Sequence, residues 1–428
     1  MVLATRSEFI AKSDNISRYD TVTSRIPSLK SHFQNIWWNC SSDIPSFINS
    51  YTRTEQFIYE NKSDKYVDQL FRQIDFQKKA PEYQETIEAV RQVAAEFLQE
   101  SFHIPPHLFA FIDSCGIYDS IKTFFILSRK FDPDISIEDI YQAGRNVITA
   151  NLIQMLLGLP VRVSPSIFAY SMLYPYTDNY LDDPSISSTT KYAFNMKFLK
   201  RLQGEMVESS NPNEKTISTL VGMIESEWDR MQYPKVYESL LSIYQAQVNS
   251  LSLVSKEISP FEKDILGISF EKGGTSVLTD GYLIAGDLTL DQEEALFGFG
   301  AFTQLMDDLE DVHTDLIENR ASIFSTTSHF CKLDRLFNRF YDFGHIVIQN
   351  LNAFPGKDVQ LLSELMTTCI DPMLLTSIGQ AISYFNKNNL GTYEIHMPFH
   401  FSFLEKQRQK VIKNKKNIER FLELGLIS

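Results

Sequence analysis

Glycine and proline are scarce in this 428-residue chain, at 17 and 16 residues. That disfavours a turn-rich all-β fold. Cysteine is scarcer still: Cys40, Cys115, Cys331 and Cys369 stand far apart in sequence. No pair has zinc-site spacing, and free thiols are expected. Positive charge is in deficit, since 40 Lys and Arg against 54 Asp and Glu leave a formal net charge of −14. Nucleic-acid binding needs a basic face, so no nucleic-acid partner is expected. An acidic balance fits a metal-binding enzyme instead. The sequence also shows no transmembrane run: the apolar stretch 146–161 is too short and ends at Leu159-Pro160-Val161-Arg162. Residues 1–14 carry Arg6 and Lys12 without a continuous apolar centre, so no secretory signal is read there and a cytoplasmic location is expected. What is present is 43% apolar and 22% charged residues, with 32 Phe and 19 Tyr. That is the composition of a folded globular chain, long enough for a sizeable core.

Helical periodicity runs through nearly the whole sequence. Ile87, Val90, Val93, Ala94 and Phe97 fall at helical spacing within 81–102. Ser136-Ile-Glu-Asp139 is a capping-box-like start for a helix ending at Gly158. Ser164-Pro165 pairs an N-cap with proline at the first helical position, opening a helix towards Asp182. Ser259-Pro260 repeats that device. Thr289-Leu-Asp-Gln292 opens a helix that runs through Asp311 to about Asn319. Further helices are expected over 188–207, 213–230, 234–253, 327–352, 358–386 and 400–424. No alternating strand and no fixed-period repeat is found. The expectation is one α-helical catalytic domain over 1–428, with 1–75, richer in Ser and Asn, as an N-terminal extension packed on it. The basic residues Lys406, Arg408, Lys410, Lys413, Lys415, Lys416 and Arg420 read as a solvated helix face.

Two acidic clusters interrupt this pattern. Asp178 and Asp182 are four apart, so both carboxylates lie on one helix face, one turn apart. Asp307, Asp311 and Asp315 repeat that spacing, with Phe297, Gly300 and Gln304 on the stripe above. Like charges one turn apart weaken a helix. A hard divalent cation such as Mg²⁺ compensates them, taking one or two carboxylates and completing its shell with water and phosphate. Exposed acidic faces without metal are the plainer alternative, and two such clusters make it less attractive. Between them, Lys272-Gly273-Gly274-Thr275 reads either as a close helix contact or as a helix break offering Lys272 and backbone N–H groups to an anion. Arg320 completes the second helix, satisfying the helix dipole or binding phosphate.

These motifs together resemble the class I terpenoid synthase superfamily. Asp178 and Asp182 match the first and last positions of its first aspartate-rich motif, with Asn179 in place of the second aspartate. Gln304 and Asp307-Asp308-Leu-Glu-Asp311 resemble the second motif, and Asp307, Asp311 and Asp315 match the metal triad of terpene cyclases. Lys272-Gly-Gly-Thr275 resembles the segment whose lysine contacts diphosphate. The likeness spans about 135–325 and is nearest to the large bacterial terpene synthases, sometimes called class IB. The arginine pair and Gly-Lys…Arg segment of chain-elongating enzymes are missing.

The resemblance implies a single helical bundle with a central cavity between the two acidic helices. It implies three Mg²⁺ held by Asp178, Asp182, Asp307, Asp311 and Asp315, with Asp178, Asp182, Asp307 and Asp311 as the catalytic groups. A linear prenyl diphosphate would meet Lys272, Arg320, Arg145, Gln304 and Phe297, with Phe302, Tyr174 and Phe168 as further aromatic candidates. The implied reaction is ionisation to an allylic cation and its conversion to a terpene hydrocarbon or alcohol. Prenyl transfer and a non-catalytic helical scaffold are the alternatives, and a homodimer is left open.

Overall fold

The computed structural model describes residues 21–73, 80–183, 185–254, 262–419 and 423. Among them every regular element is helical, and the one β-type pairing is an isolated bridge between Val254 and Arg320. The chain opens with α1 (Val22–Asn39), α2 (Arg53–Gln73) and α3 (Ala80–Phe102). α4 (Pro106–Ser114) and α5 (Ile117–Phe131) lead to α6 (Ile137–Leu156) and α7 (Pro165–Asp182). Then come α8 (Ser188–Leu202), α9 (Pro212–Glu227) and α10 (Pro234–Ser250). α11 (Ile265–Ala285) and α12 (Leu290–Glu310) are followed by the short α13 (Val312–Glu318) and α14 (Ile323–Ser328). α15 (Asp334–Asn350), α16 (Val359–Gln380), α17 (Lys387–Glu394) and α18 (Phe401–Lys413) complete it.

Helix starts follow the side-chain caps. Ser136 accepts from the Asp139 N–H, and Ser164 accepts from the Ile167 N–H with Pro165 in the first turn. Thr289 and Gln292 form a reciprocal capping box. The start expected at Ser259-Pro260 lies outside the described residues. α11 instead begins under Asp264, whose Oδ1 accepts from the Gly267 N–H at 3.0 Å. The helix expected over 327–352 is divided into α14 and α15, and the one expected over 188–207 stops at Leu202, before Gly204 at φ +90°.

The N-terminal region is more than an extension. α1 lies in the bundle against α10, α11, α12 and α15, with Val22, Phe33 and Trp37 fully buried. Phe33 stacks on Phe297 at 5.9 Å between centroids, and Trp37 meets Phe343 edge-on at 5.7 Å. Burying aromatic side chains of this size is the largest single source of core stabilisation, which accounts for the phenylalanine excess.

α11 and α12 pack backbone against backbone. A Cβ built on Gly273 would stand 2.2 Å from the Gly300 carbonyl oxygen, and one on Gly300 would stand 2.1 Å from that of Gly273. α11 continues unbroken through Gly273 and Gly274. The paired glycines therefore serve close helix packing, and the helix break considered from the sequence does not occur.

One helix among the described residues, α16, is long and apolar enough by length and composition to cross a membrane. Its Asp371 is buried and accepts hydrogen bonds from the Tyr341 hydroxyl at 2.7 Å and the Ile48 N–H at 3.0 Å, with His345 Nε2 at 3.1 Å. Burial opposes ionisation there, yet these bonds hold the carboxyl below its ordinary range.

Candidate functional site

A cavity of about 190 Å³ opens between α11, α12 and the segments 250–254 and 320–322. Lys272 enters it from α11, Asp307 and Asp308 from α12, Asp311 and Asp315 from the following turns, and Arg320 from beyond α13. The helix expected to run straight from 289 to 319 breaks at Asp311, which caps α12 at φ −89°, ψ 5°. Backbone bonds nevertheless continue at four-residue spacing, from the Asp311 N–H to the Asp307 carbonyl and from the Asp315 N–H to the Asp311 carbonyl. The one-turn spacing therefore survives the break, and all three carboxylates line the same cavity.

The environments of these acids differ. Asp307 is open: its Oδ1 accepts from Arg145 of α6 at 2.9 Å, with the side chains 42% and 69% exposed. Asp311 is raised above the ordinary carboxylate range by burial and by the charge of Asp307. Asp315 is pushed up to about 7, mainly by burial, against a hydrogen bond from Ser322. Asp308 is buried and accepts from Ser269 Oγ at 2.8 Å and from Gln304 Nε2 at 2.9 Å. Burial pushes it up to about 6. Gln304 thus lines the cavity while its amide is engaged by Asp308. The sequence marked Asp308 only as part of a motif, and its adjacency to Asp307 was the available signal for a second inward-facing acid.

The first cluster reaches the same mouth through Tyr174 of α7, which lines the cavity. Burial, then the neighbouring charges of Asp178 and Asp307, raise its ionisation well above that of an ordinary phenol. The side chain of Asp182 lies outside the described residues. Asn179 turns away from the cavity, donating to Asp139 of α6 at 2.7 Å.

Phe297 does not reach the cavity. It is fully buried, stacked on Phe33 and pressed against Gly274. Phe302 packs on Phe340 at 5.4 Å and Phe168 on Phe124 at 5.7 Å, both in the core. Of the four aromatic candidates, Tyr174 alone lines the cavity. Its apolar wall is aliphatic instead, made by Leu251, Leu253, Val254 and Ile268.

The chain matches no protein-family model and no curated protein.

Among the described residues no three acidic or imidazole side chains close around one point. The donor chemistry still fits a hard divalent cation. Asp307, Asp311 and Asp315 offer only oxygens, and Mg²⁺ needs just one or two carboxylates beside water and phosphate. Desolvation opposes ionisation of Asp311 and Asp315, a penalty that a cation relieves.

That penalty has a measurable sign. Asp315 keeps its proton to higher pH in the folded chain than in the unfolded one. Stability therefore falls as pH rises from the unfolded carboxylate range towards about 7. With divalent ions chelated, Asp315→Asn should melt above wild type near about pH 8, and the difference should close near about pH 4. Equal melting curves at both values would exclude the buried acid.

Proposed function

We propose that this chain is a Mg²⁺-dependent class I terpenoid synthase of the large bacterial type, which ionises a linear allylic prenyl diphosphate and releases a terpene hydrocarbon or alcohol. The observation that carries this reading is the convergence of Asp307, Asp311, Asp315, Lys272 and Arg320 on one cavity whose rim residue, Tyr174, lies within the electrostatic reach of Asp178.

Asp307, Asp311 and Asp315 would hold metal from one side and Asp178 from the other. Bound Mg²⁺ supplies Lewis-acid stabilisation to the departing diphosphate. Lys272 and Arg320 add fixed positive charge where negative charge develops. Arg320 is held in place by its backbone, whose N–H donates to the Asp315 carbonyl at 2.8 Å, while the neighbouring Ala321 N–H donates to the Leu253 carbonyl at 2.8 Å. Leu251, Leu253, Val254 and Ile268 offer the allylic end the apolar part of the cavity lining.

The test is incubation of the purified chain with Mg²⁺ and geranyl, farnesyl, geranylgeranyl or geranylfarnesyl diphosphate, each with and without isopentenyl diphosphate. Diphosphate release and an extractable terpene from one allylic substrate alone is the expected result. A longer diphosphate formed only when isopentenyl diphosphate is present would replace the reading with prenyl transfer. No reaction with any substrate would exclude it.

A further inference from the structure

The basic run near the end of the chain is sorted by helix face. Residues 405–419 hold six Lys or Arg against two Glu, in a chain of net charge −14. Lys406 and Lys410 turn to α2, each with Nζ 2.7 Å from a carboxylate oxygen of Asp64. α18 ends at Lys413, yet the four-residue backbone pattern continues. The Asn414 N–H donates to the Lys410 carbonyl at 3.1 Å, and the Ile418 N–H to the Asn414 carbonyl at 3.0 Å. Arg408, Val411, Ile412, Lys415 and Lys416 therefore share the opposite face, at positions i, i+3, i+4, i+7 and i+8. Lys413 and Lys416 are exposed and have no acidic partner among the described residues. Phe401 and Leu404 begin the same stripe against Gly379 of α16. Val411 and Ile412 carry it on into solvent, 50% and 53% exposed.

This face adjoins the acidic cavity through α6. Lys415 Nζ lies 2.5 Å from Glu138 Oε1. The half-exposed Tyr141 and then Arg145 follow Glu138 at i+3 and i+7, and Arg145 holds Asp307 at the cavity. Seven residues of helix span about 10 Å, so the basic face and the cavity mouth are near neighbours. Cationic and aliphatic side chains interleaved on one exposed helix face match the headgroup boundary of an anionic bilayer. The ammonium groups meet phosphate there, and the aliphatic groups enter the edge of the acyl region. A purely polyanionic partner would leave Val411 and Ile412 without a contact. An anionic surface also attracts this face while repelling the acidic remainder of the chain, which fixes the orientation of approach.

We propose that Arg408, Val411, Ile412, Lys413, Lys415 and Lys416 form a docking surface for an anionic lipid bilayer. Docked there, the chain holds its cavity mouth close to the lipid, within reach of an amphiphile that partitions into it. The docking itself does not depend on which reaction the cavity performs.

The test is co-sedimentation of the full chain with vesicles of phosphatidylcholine, alone or with about 30% phosphatidylglycerol, at about 0.1 M and about 0.5 M salt. Wild type should bind only the vesicles that contain phosphatidylglycerol and should leave them at high salt. Each basic side chain near an anionic surface is worth about fivefold in partitioning, so Lys413→Glu with Lys416→Glu should weaken binding by at least about twenty-five-fold. Val411→Ser with Ile412→Ser should weaken it by about tenfold. Lys357→Glu, at an exposed lysine beyond the far end of α6, should bind as wild type does. Independently of any variant, anionic vesicles should protect Lys413 and Lys416 of wild type from acetylation and leave Lys357 reactive. No binding to anionic vesicles, equal binding to neutral ones, or equal protection of Lys357 overturns the proposal. So does binding that both double variants retain in full. If wild type is instead a dimer that Lys413→Glu with Lys416→Glu dissociates, and vesicles are left unbound, the face belongs to a second copy and the proposal falls.

Discussion

Asp307→Ala should reduce diphosphate release by at least about a hundredfold, the loss expected when a principal electrostatic contact to a leaving group is removed. Its melting temperature should stay close to that of wild type. Asp307 is half-exposed, and its bond to Arg145 joins two solvent-accessible side chains. Such pairs contribute about 0–1 kcal/mol. Removing the carboxylate also relieves Asp311, which Asp307 repels. A large loss of rate with an unchanged melting curve separates a functional carboxylate from a structural one. Retained activity in Asp307→Ala would remove Asp307 from the site. Product yield and thermal melting on the same sample are the paired measurements.

Gly273→Ala should be among the most destabilising single substitutions in the chain, at about 3 kcal/mol or more. The added methyl would stand 2.2 Å from the Gly300 carbonyl oxygen and 2.5 Å from Gln304 Cβ. Its first obstacle is backbone, so no rotamer change can clear it and α11 must part from α12. That movement draws Ser269 from Asp308, because the two sit on opposite sides of the contact. Activity should therefore fall together with stability. Gly391→Ala is the control: a Cβ there meets nothing within 4 Å and Gly391 lies in α17, so it should be neutral or stabilising by about 1 kcal/mol. Denaturant midpoints of both variants check the contrast, and a Gly273→Ala variant as stable as wild type would refute the close contact.

Much of this architecture was legible because it is written in local rules. Ser136, Ser164 and Thr289 stand where caps must stand, and each caps its helix. The one-turn spacing of Asp307, Asp311 and Asp315 carried over because it holds on both sides of the break at Asp311. Other readings failed where distance in space departs from distance in sequence. Helix propensity counts glycine only as a cost, so Gly273 and Gly274 invited a break, whereas their value is the missing Cβ against α12. Phe297 was placed on the Asp307 stripe, but ten residues of helix leave the two about 80° apart, and Phe297 turns towards Phe33 instead. The periodicity of Val22, Ile26, Phe33 and Trp37 was masked by the Ser and Asn around it.

The order in which the cavity comes together follows from the short connection 286–289. Contacts between α11 and α12 close over a few residues at their near ends and over a single hairpin at Gly273 and Gly300. Short loops cost the least chain entropy to close, and local contacts form fastest. Lys272, Ser269, Asp307 and Asp308 all belong to that hairpin, so one early unit sets the basic and carboxylate groups against each other. Tyr174 and Asp178 join them only when α7 docks from far away in the chain. Loop closure therefore predicts that the α11–α12 hairpin, with Lys272 and Asp307, assembles before α7 brings in Asp178.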